Sequence, residues 1–491
     1  MKRAGGAALV AIALAMLAYR FAHLDLAPFA RDEPQFLAAA REQLRTGRWL
    51  AANPLYGNLG LRYGPAAFWF YGVVLSLLGD DPRTAIVAMG LVVTLSHLAF
   101  ALALSRLFDE GAAFFAVLVA WMASSPYLFL WSRLAWDLTS MAAAFCAAAL
   151  LCSPRTLTPG RALALGVALG AGLATHPMVA PLAIAAVVVL GWEGREGGRK
   201  AVAAIAIVVA AMIAVNLPYL VFLAKAPIVG RAARHPVSLA GLASLALQAP
   251  RISTVWGLSY YFDEAWGDFR RWLGPAGSTL EPLALCSLSA SVAAAVIGVA
   301  ISLRAPDVRQ RRLARVAAMA WAGNVVLLAA VGLGPHPHYH FSSAWVPLFG
   351  MAACLARLRR HRPRAGVIAV AVVAAMAVAQ FLVIVRWMGY IRARGGTRSA
   401  SYGTPLGLQV AAMRAVCAAP PSVIVLQNDT KMFRFPFEYL ATTEPSCRGK
   451  TVLVCSADPG PLVKPCPSDT AGSRLVRLQY TGPVGGGLAV D

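Results

Sequence analysis

The sequence predicts an all-α polytopic membrane protein with about eleven transmembrane helices, external juxtamembrane helices and a small C-terminal external α/β domain. Three observations carry that expectation. Hydrophobic residues make up 59% of the 491 positions and charged residues only 13%, against about 25% charged in an ordinary soluble domain. Apolar runs near the roughly 17–25 residues that a bilayer helix needs recur along the chain. The basic residues that separate them sit in short loops, the pattern of a chain oriented by positive charge. This last point also disposes of the formal net charge of +22 as a sign of nucleic-acid binding. No G-x-x-x-x-G-K-[ST] phosphate loop is present, so nothing points to an ATPase.

In order, the apolar segments fall at 5–22, 84–105, 112–130, 138–152, 162–175, 178–192, 201–223, 283–303, 316–334, 342–356 and 365–387. Met1-Lys2-Arg3 before the first one reads as the cytoplasmic flank of a retained anchor, because no small-x-small cleavage site follows. The loops 153–161, 193–200, 304–315 and 357–364 carry clustered arginines and belong inside. Counting crossings back from them puts 106–111 inside and 23–83 outside. The further apolar run 65–79 then has both ends outside and is expected to be a juxtamembrane or re-entrant helix that packs on protein. The external face holds 23–83, 131–137, the turn Thr175-His176-Pro177, the stretch 224–282, the turn 335–341 and everything beyond about 388. The expected domains are therefore a membrane part, 1–387, and an external part, 388–491. The latter is polar and rich in Gly and Pro, with strand-like runs Ser422–Leu426, Thr451–Cys455 and Leu475–Tyr480 and a helix Leu406–Cys417. Cys417, Cys447, Cys455 and Cys466 lie there, where disulfides are permitted and three pairings are possible.

The chain is organised around Arg31-Asp32-Glu33-Pro34, two adjacent carboxylates just past the first crossing in a protein with only 22 acidic residues. They open an amphipathic helix over Pro34–Thr46. Pro suits an early helix position and a carboxylate suits the positive helix N-terminus, so a capped surface helix accounts for them. A catalytic carboxylate at the membrane surface does so equally. Trp131-Ser132-Arg133-Leu134-Ala135-Trp136-Asp137 places Arg133 and Asp137 four apart, as an interfacial pair or as a phosphate-binding arginine with an orienting acid. His336, His338 and His340 alternate around Pro337 and Tyr339. An extended strand would put the three on one face and make a divalent cation possible, but Pro337 and the lack of a nearby carboxylate favour donors to a phosphate or sugar. Arg62 and Tyr63, followed by Phe68, Trp69, Phe70 and Tyr71, fit interfacial anchoring or a lipid phosphate beside a polyprenyl chain. The aromatic and charged stretch 251–272 fits a sugar-stacking loop or an interfacial helix.

Taken together, these pieces have a familiar order. The external Asp32-Glu33 pair opens a helix ending Gly47-Arg48-Trp49. Tyr63-Gly64-Pro65 and its aromatics follow, then Arg106-Leu107-Phe108, Ser125-Pro126 leading to Ser132-Arg133 and Asp137, and late external His338-Tyr339. Over about residues 1–355 the chain resembles the GT-C glycosyltransferases of the protein O-mannosyltransferase and aminoarabinose transferase type, family 39-like. That group includes the bacterial branch that modifies lipopolysaccharide cores. The resemblance implies an inner-membrane enzyme that moves a sugar from a polyprenyl-phosphate donor to an envelope lipid, glycan or protein on the external face. It implies Asp32 as general base with Glu33 in support, and Arg133 with a histidine of 336–340 holding the departing lipid phosphate, which needs no protonation. One departure stands out. Related aminoarabinose transferases carry an acidic and a basic residue before the proline of the second external helix, where this chain has Tyr63-Gly64. Two readings of other classes remain: a lipid-linked glycan flippase, which calls for polar groups inside the bundle such as Asn216 and Asn324, and a scaffold whose external tail binds a partner.

Overall fold

The structure, a computed structural model, describes residues 2–30, 32–53, 62–136, 139–152, 157–225, 238–262, 265–397, 402–418, 423–428, 434–455, 466, 473–481 and 487–490. Its helices are α1 (Lys2–Ala18), α2 (Asp32–Thr46), α3 (Ala66–Leu78), α4 (Pro82–Phe108), α5 (Ala112–Ser124), α6 (Pro126–Trp131), α7 (Thr139–Leu151) and α8 (Pro159–Leu173). They continue as α9 (Ala180–Leu223), α10 (Leu239–Ile252), α11 (Trp256–Phe262), α12 (Ala265–Trp272), α13 (Leu280–Leu303), α14 (Val308–Val331), α15 (Val346–His361) and α16 (Pro363–Arg394). The C-terminal domain adds α17 (Leu406–Ala418), β1 (Val423–Asn428), α18 (Arg434–Thr443), β2 (Thr451–Cys455), β3 (Arg474–Thr481) and β4 (Gly487–Val490).

Among the described residues six helical stretches are long and apolar enough to cross a membrane: α4, Pro177–Gly194, Gly198–Leu223, Gly274–Leu303, α14 and α16. The two halves of α9 part at Gly198, whose φ of 61° breaks the helix. A seventh candidate is bent by 50°, a 3-10 turn Pro337–Ser343 joined to α15. The remaining expected crossings, 5–22, 112–130, 138–152 and 162–175, fall on shorter apolar helices. Proline explains one of them: Pro126 cannot donate its backbone N–H, so the run 112–130 divides into α5 and α6 with Ser125 capping the second. α3 has 13 residues, about 20 Å at 1.5 Å per residue and short of a roughly 30 Å hydrocarbon core. α16 runs on to Arg394, past the expected domain limit at 387.

Leu217, Val221, Val367, Ile368, Val372 and Leu382 are exposed on the outer faces of α9 and α16. A surface like that suits lipid rather than water. Inside, small residues let backbones touch. A Cβ on Gly298 of α13 would strike the carbonyl of Gly350 on α15, and one on Gly350 would strike Ala294. This close approach is how membrane helices gain packing contacts without a hydrophobic driving force.

The loop ends sort into two sets. At one end Arg359 pairs with Glu110 at 3.0 Å and the buried Arg312 with Glu193 at 2.6 Å, while Arg315 lies over the Trp192 ring. These contacts join the basic loop 357–364 to the 106–111 turn and the basic loop 304–315 to 193–200 and its flank. At the other end the segments after α1, before α3, after α6, after α8 and before α15 meet, and α16 delivers the C-terminal domain. Clustered arginines together with the count of crossings predicted the sets to which these loops belong.

In the C-terminal domain the sheet order is β2-β1-β3-β4, with β1 parallel to β2 and β3 and β4 antiparallel to β3. Three strands and α17 match the expected runs; β4 and α18 were not anticipated. Cys417 bonds Cys447 and Cys455 bonds Cys466. Of the three pairings open to the sequence, the one between neighbours in chain order is formed.

Candidate active site

Two pieces of this second end carry the residues singled out above. The first is the segment leading into α2. Arg133 follows α6 and is buried, with its guanidinium donating to the carbonyls of Arg20, Ala22 and His23. The expectation that Arg133 presents its donors to a phosphate meets a side chain whose N–H groups already serve the backbone. Arg392 at the end of α16 reaches the His23 ring at 3.0 Å. From the C-terminal domain, the Tyr402 hydroxyl donates to the Leu26 carbonyl, the Leu406 amide to Ala27 at 3.0 Å and the Gln409 amide to Phe29 at 2.8 Å. Pro28 and Pro405 form a β-bridge. The chain from 20 to 29 is thus gripped by three separate parts of the protein just before it reaches the two carboxylates.

Asp32 and Glu33 form the first turn of α2, as expected for acids at a helix N-terminus. Glu33 is buried and accepts from the Ala30 amide at 3.1 Å. Burial, reinforced by the neighbouring Asp32 charge, pushes its carboxyl up to about 7, with backbone amides pulling the other way. Asp32 is half-buried. Below them Phe36 stacks on Phe68 of α3 at 4.6 Å, and Gln43 donates to the Phe68 carbonyl at 3.0 Å. The stretch read as Pro34–Thr46 is therefore a helix whose buried face rests on α3.

The second piece is a knot of rings. His338 lies 5.6 Å from both Trp131 and Trp136, stacked on the former, and 5.5 Å from His336. Tyr339 contacts His338 at 4.1 Å and His176 at 5.9 Å, and His176 meets Tyr63 at 4.6 Å. α3 ties the two pieces together, since the Tyr71 hydroxyl donates to the Trp136 carbonyl at 2.7 Å. His340 turns away: it is buried, and its Nδ1 is 3.3 Å from Asn324. A 3-10 helix replaces the extended strand on which a metal reading of the histidines depended, so the three rings do not share a face. No group of three or more His, Cys, Asp or Glu in metal-holding geometry occurs among the described residues. Burial lowers the pKa of His336, and that of His176 to about 3, so these rings are neutral near pH 7.

Arg62 lies over the Phe222 ring and its carbonyl accepts from Tyr219 at 2.6 Å. Gly64 explains the departure from the related pattern. A Cβ there would collide with the backbone of Ala174, whose carbonyl accepts from Ala66 at 3.0 Å. The loop before α3 is pressed onto the turn after α8, leaving no room for a side chain at 64. Asp137 lies outside the described residues, as do Asp263 and Glu264 of the 251–272 stretch. The polar groups that a flippase would need are engaged in packing: Asn216 donates to the carbonyls of Gly170 and Met212, both at 2.9 Å, and Asn324 to that of Tyr339 at 3.0 Å. Sequence reasoning missed Arg20, fully buried and donating to the Met122 carbonyl at 2.7 Å beside His97. It also missed His176, Arg392, Tyr402 and Gln409. An arginine in the last turn of the first span was the one visible signal.

This arrangement can be set against known proteins. Residues 62–222 match the family profile described as dolichyl-phosphate-mannose-protein mannosyltransferase. The chain superposes on the apo structure of ArnT from Cupriavidus metallidurans with a TM-score of 0.56 at 15% identity, over 97% of this chain and 93% of that one. The same protein bound to undecaprenyl phosphate gives 0.54 at 15% identity, over 91% and 85%. The chain has the fold of these ArnT structures. The apo oligosaccharyltransferase of Archaeoglobus fulgidus is a looser match, with a TM-score of 0.49 at 12% identity over 91% of this chain and 64% of that one. No curated protein sequence matches the chain. The profile match begins at Arg62, so it leaves out α2. The GT-C likeness of the Asp32-Glu33 stretch therefore rests on its own residues and on the fold around them.

Proposed function

We propose that this protein is a glycosyltransferase that moves a sugar from a polyprenyl-phosphate donor to an acceptor in the cell envelope, on the external face of the inner membrane. One observation carries the reading: the acidic pair at the start of α2 is held by a segment fixed from three sides, on a GT-C fold. An ArnT structure of that fold is bound to undecaprenyl phosphate. Asp32 is the general base. It removes the proton of the acceptor hydroxyl or amine as that group attacks the anomeric carbon. The bond from that carbon to the phosphate oxygen breaks, and its electron pair leaves with the lipid phosphate. A nearby carboxylate also stabilises positive charge growing on the sugar. The leaving phosphate is already a good leaving group, so no second acid is needed.

Glu33 supports Asp32 by sharing its charge environment: a neighbour that is half-protonated near pH 7 adjusts its own charge when Asp32 takes up a proton. Arg133 acts on the chain rather than on the lipid, because its donors hold residues 20–23 in place. We assign the lipid phosphate to Arg62 and His336, at the edge of the ring knot that Tyr63 joins. Two disulfides suit an oxidising external compartment for the C-terminal domain, and the arginine-rich opposite end suits the cytoplasm.

The test is transfer by the purified parent protein. Labelled polyprenyl-phosphate sugars and, separately, labelled nucleotide sugars are incubated with an envelope acceptor fraction. Label should reach the acceptor from polyprenyl-phosphate donors only. Transfer from nucleotide sugars alone, or from neither, would contradict the reading.

A further inference from the structure

A groove of about 480 Å³ runs between α2 and α18, where the membrane part meets the C-terminal domain. That volume falls within the roughly 300–1,000 Å³ of small-molecule sites. With successive residues about 100° apart on a helix, α2 has two opposed faces. Glu33, Phe36, Leu37, Ala40 and Gln43 are buried on one. Gln35, Ala38, Arg41, Glu42 and Arg45 line the groove on the other. Asp32 falls on the seam between the faces, one turn and about 5 Å along the axis from Gln35. The α2 wall of the groove begins at Pro34 and Gln35, directly after the acidic pair in the chain.

The walls are fixed. Arg41 pairs with Asp80 at 3.0 Å and donates to the Thr442 carbonyl at 3.3 Å, and the Tyr439 hydroxyl donates to the Asp80 carbonyl at 2.9 Å. The base of α18 is held by the Cys417–Cys447 bond through the turn that follows it. The lining chemistry selects among ligands. Two cations, Arg41 and Arg45, face two anions, Glu42 and Glu438, so the groove has no net charge. Arg45 is bidentate to Glu42 at 2.6 and 2.7 Å. A phosphate would have to displace that carboxylate and approach Glu438. The α18 wall presents the Phe435 ring, which suits the apolar C–H face of a sugar, with the buried Tyr439 behind it packed on Phe29. Gln35, Glu438 and Thr442 supply planar amide, carboxylate and hydroxyl groups that suit its hydroxyl rim.

Building on the function proposed above, we infer that this groove is an acceptor subsite for a neutral oligosaccharide, which it aligns so that one hydroxyl reaches Asp32. The acceptor is then a glycan or the glycan part of a glycolipid, and the C-terminal domain is half of its binding site.

The test uses the full-length protein in lipid nanodiscs on a printed array carrying neutral envelope-type oligosaccharides, their phosphorylated forms and unglycosylated peptides. The parent should be retained by neutral oligosaccharides. Gln35→Ala combined with Glu438→Ala should lose at least ten-fold in retention with an unchanged melting midpoint. In transfer assays with the retained glycan as acceptor, the same variant should raise the acceptor KM by ten-fold or more and leave the donor KM and kcat near the parent. Retention only on phosphorylated spots, only on peptides or on none, or a double variant equal to the parent, would overturn the inference. Asp32→Asn separates the two proposals, because it should stop transfer while leaving glycan retention intact. If transfer proceeds from polyprenyl donors but the groove variant changes nothing, the function stands and the subsite falls.

Discussion

The seam on α2 and the ring knot around His338 lie at the same end of the molecule and are built by opposite means. At the seam, charged groups stand beside an open groove, and the fixing is done behind them by hydrogen bonds from Arg133 and Tyr402 to backbone carbonyls and from Arg392 to the His23 ring. In the knot, polar rings are packed face and edge against Trp131, Trp136 and one another, and burial keeps them neutral. A seam of that kind can change protonation during a reaction while its backbone stays still. A knot of that kind offers shape and hydrogen bonds without charge, which suits packing and hydrogen bonding more than moving a proton.

Breaking the grip behind the seam should have the largest effect. Arg133→Gln leaves the carbonyls of Arg20, Ala22 and His23 without their cationic donor, at about 1.5–3 kcal/mol for each hydrogen bond to a charged group. The variant should melt roughly 5 °C or more below the parent in the same detergent. Melting at the parent temperature would mean that those bonds are not holding the segment. Next, Cys417→Ser with Cys447→Ser should loosen α17 and α18 against the segment and cut transfer several-fold. The matching change at Cys455 and Cys466, a loop closed over a separation of 11 residues rather than 30, should cost less. Equal losses from both pairs would erase the distinction between them. Tyr402→Phe removes one hydroxyl donor from the Leu26 carbonyl, about 1 kcal/mol. It should lower kcat about five-fold without moving the acceptor KM.

A separate effect is in the pH dependence of stability. The Glu33 carboxyl is raised to about 7 from its ordinary 4.5, so the folded protein binds this proton more tightly than the unfolded one. The stabilising contribution is complete below about 4.5, declines as pH rises and is lost once pH passes about 7. The melting midpoint of the parent should fall across that window relative to Glu33→Gln, which should be flatter there. Parallel curves would show that Glu33 does not titrate as its burial requires.

The same contrast marks what the sequence disclosed. Periodicity and turn chemistry made α2, α17 and three strands legible, and charge made the two loop sets legible, because these are local properties. Arg133 was legible as an interesting residue but not as a clamp. Its partners are backbone carbonyls 110–113 positions away, and nothing in a sequence marks a carbonyl as an acceptor. Gly64 read as a departure from a related pattern until its contact with Ala174 gave the reason. The alternating histidines suggested a strand, and Pro337 instead starts a 3-10 turn that turns His340 inward. The groove depends on α18, whose docking on α2 joins residues some 400 positions apart, as in the Arg41 to Thr442 bond.

The most direct test of the central claim is single-turnover transfer by Asp32→Asn in the full-length protein, preloaded with a polyprenyl-phosphate sugar and mixed with excess acceptor. The account predicts a rate at least about 100-fold below the parent, the scale of a lost general base, with donor binding and melting midpoint unchanged. A rate within a few-fold of the parent would remove Asp32 from the chemistry and leave the clamped seam without the role assigned to it.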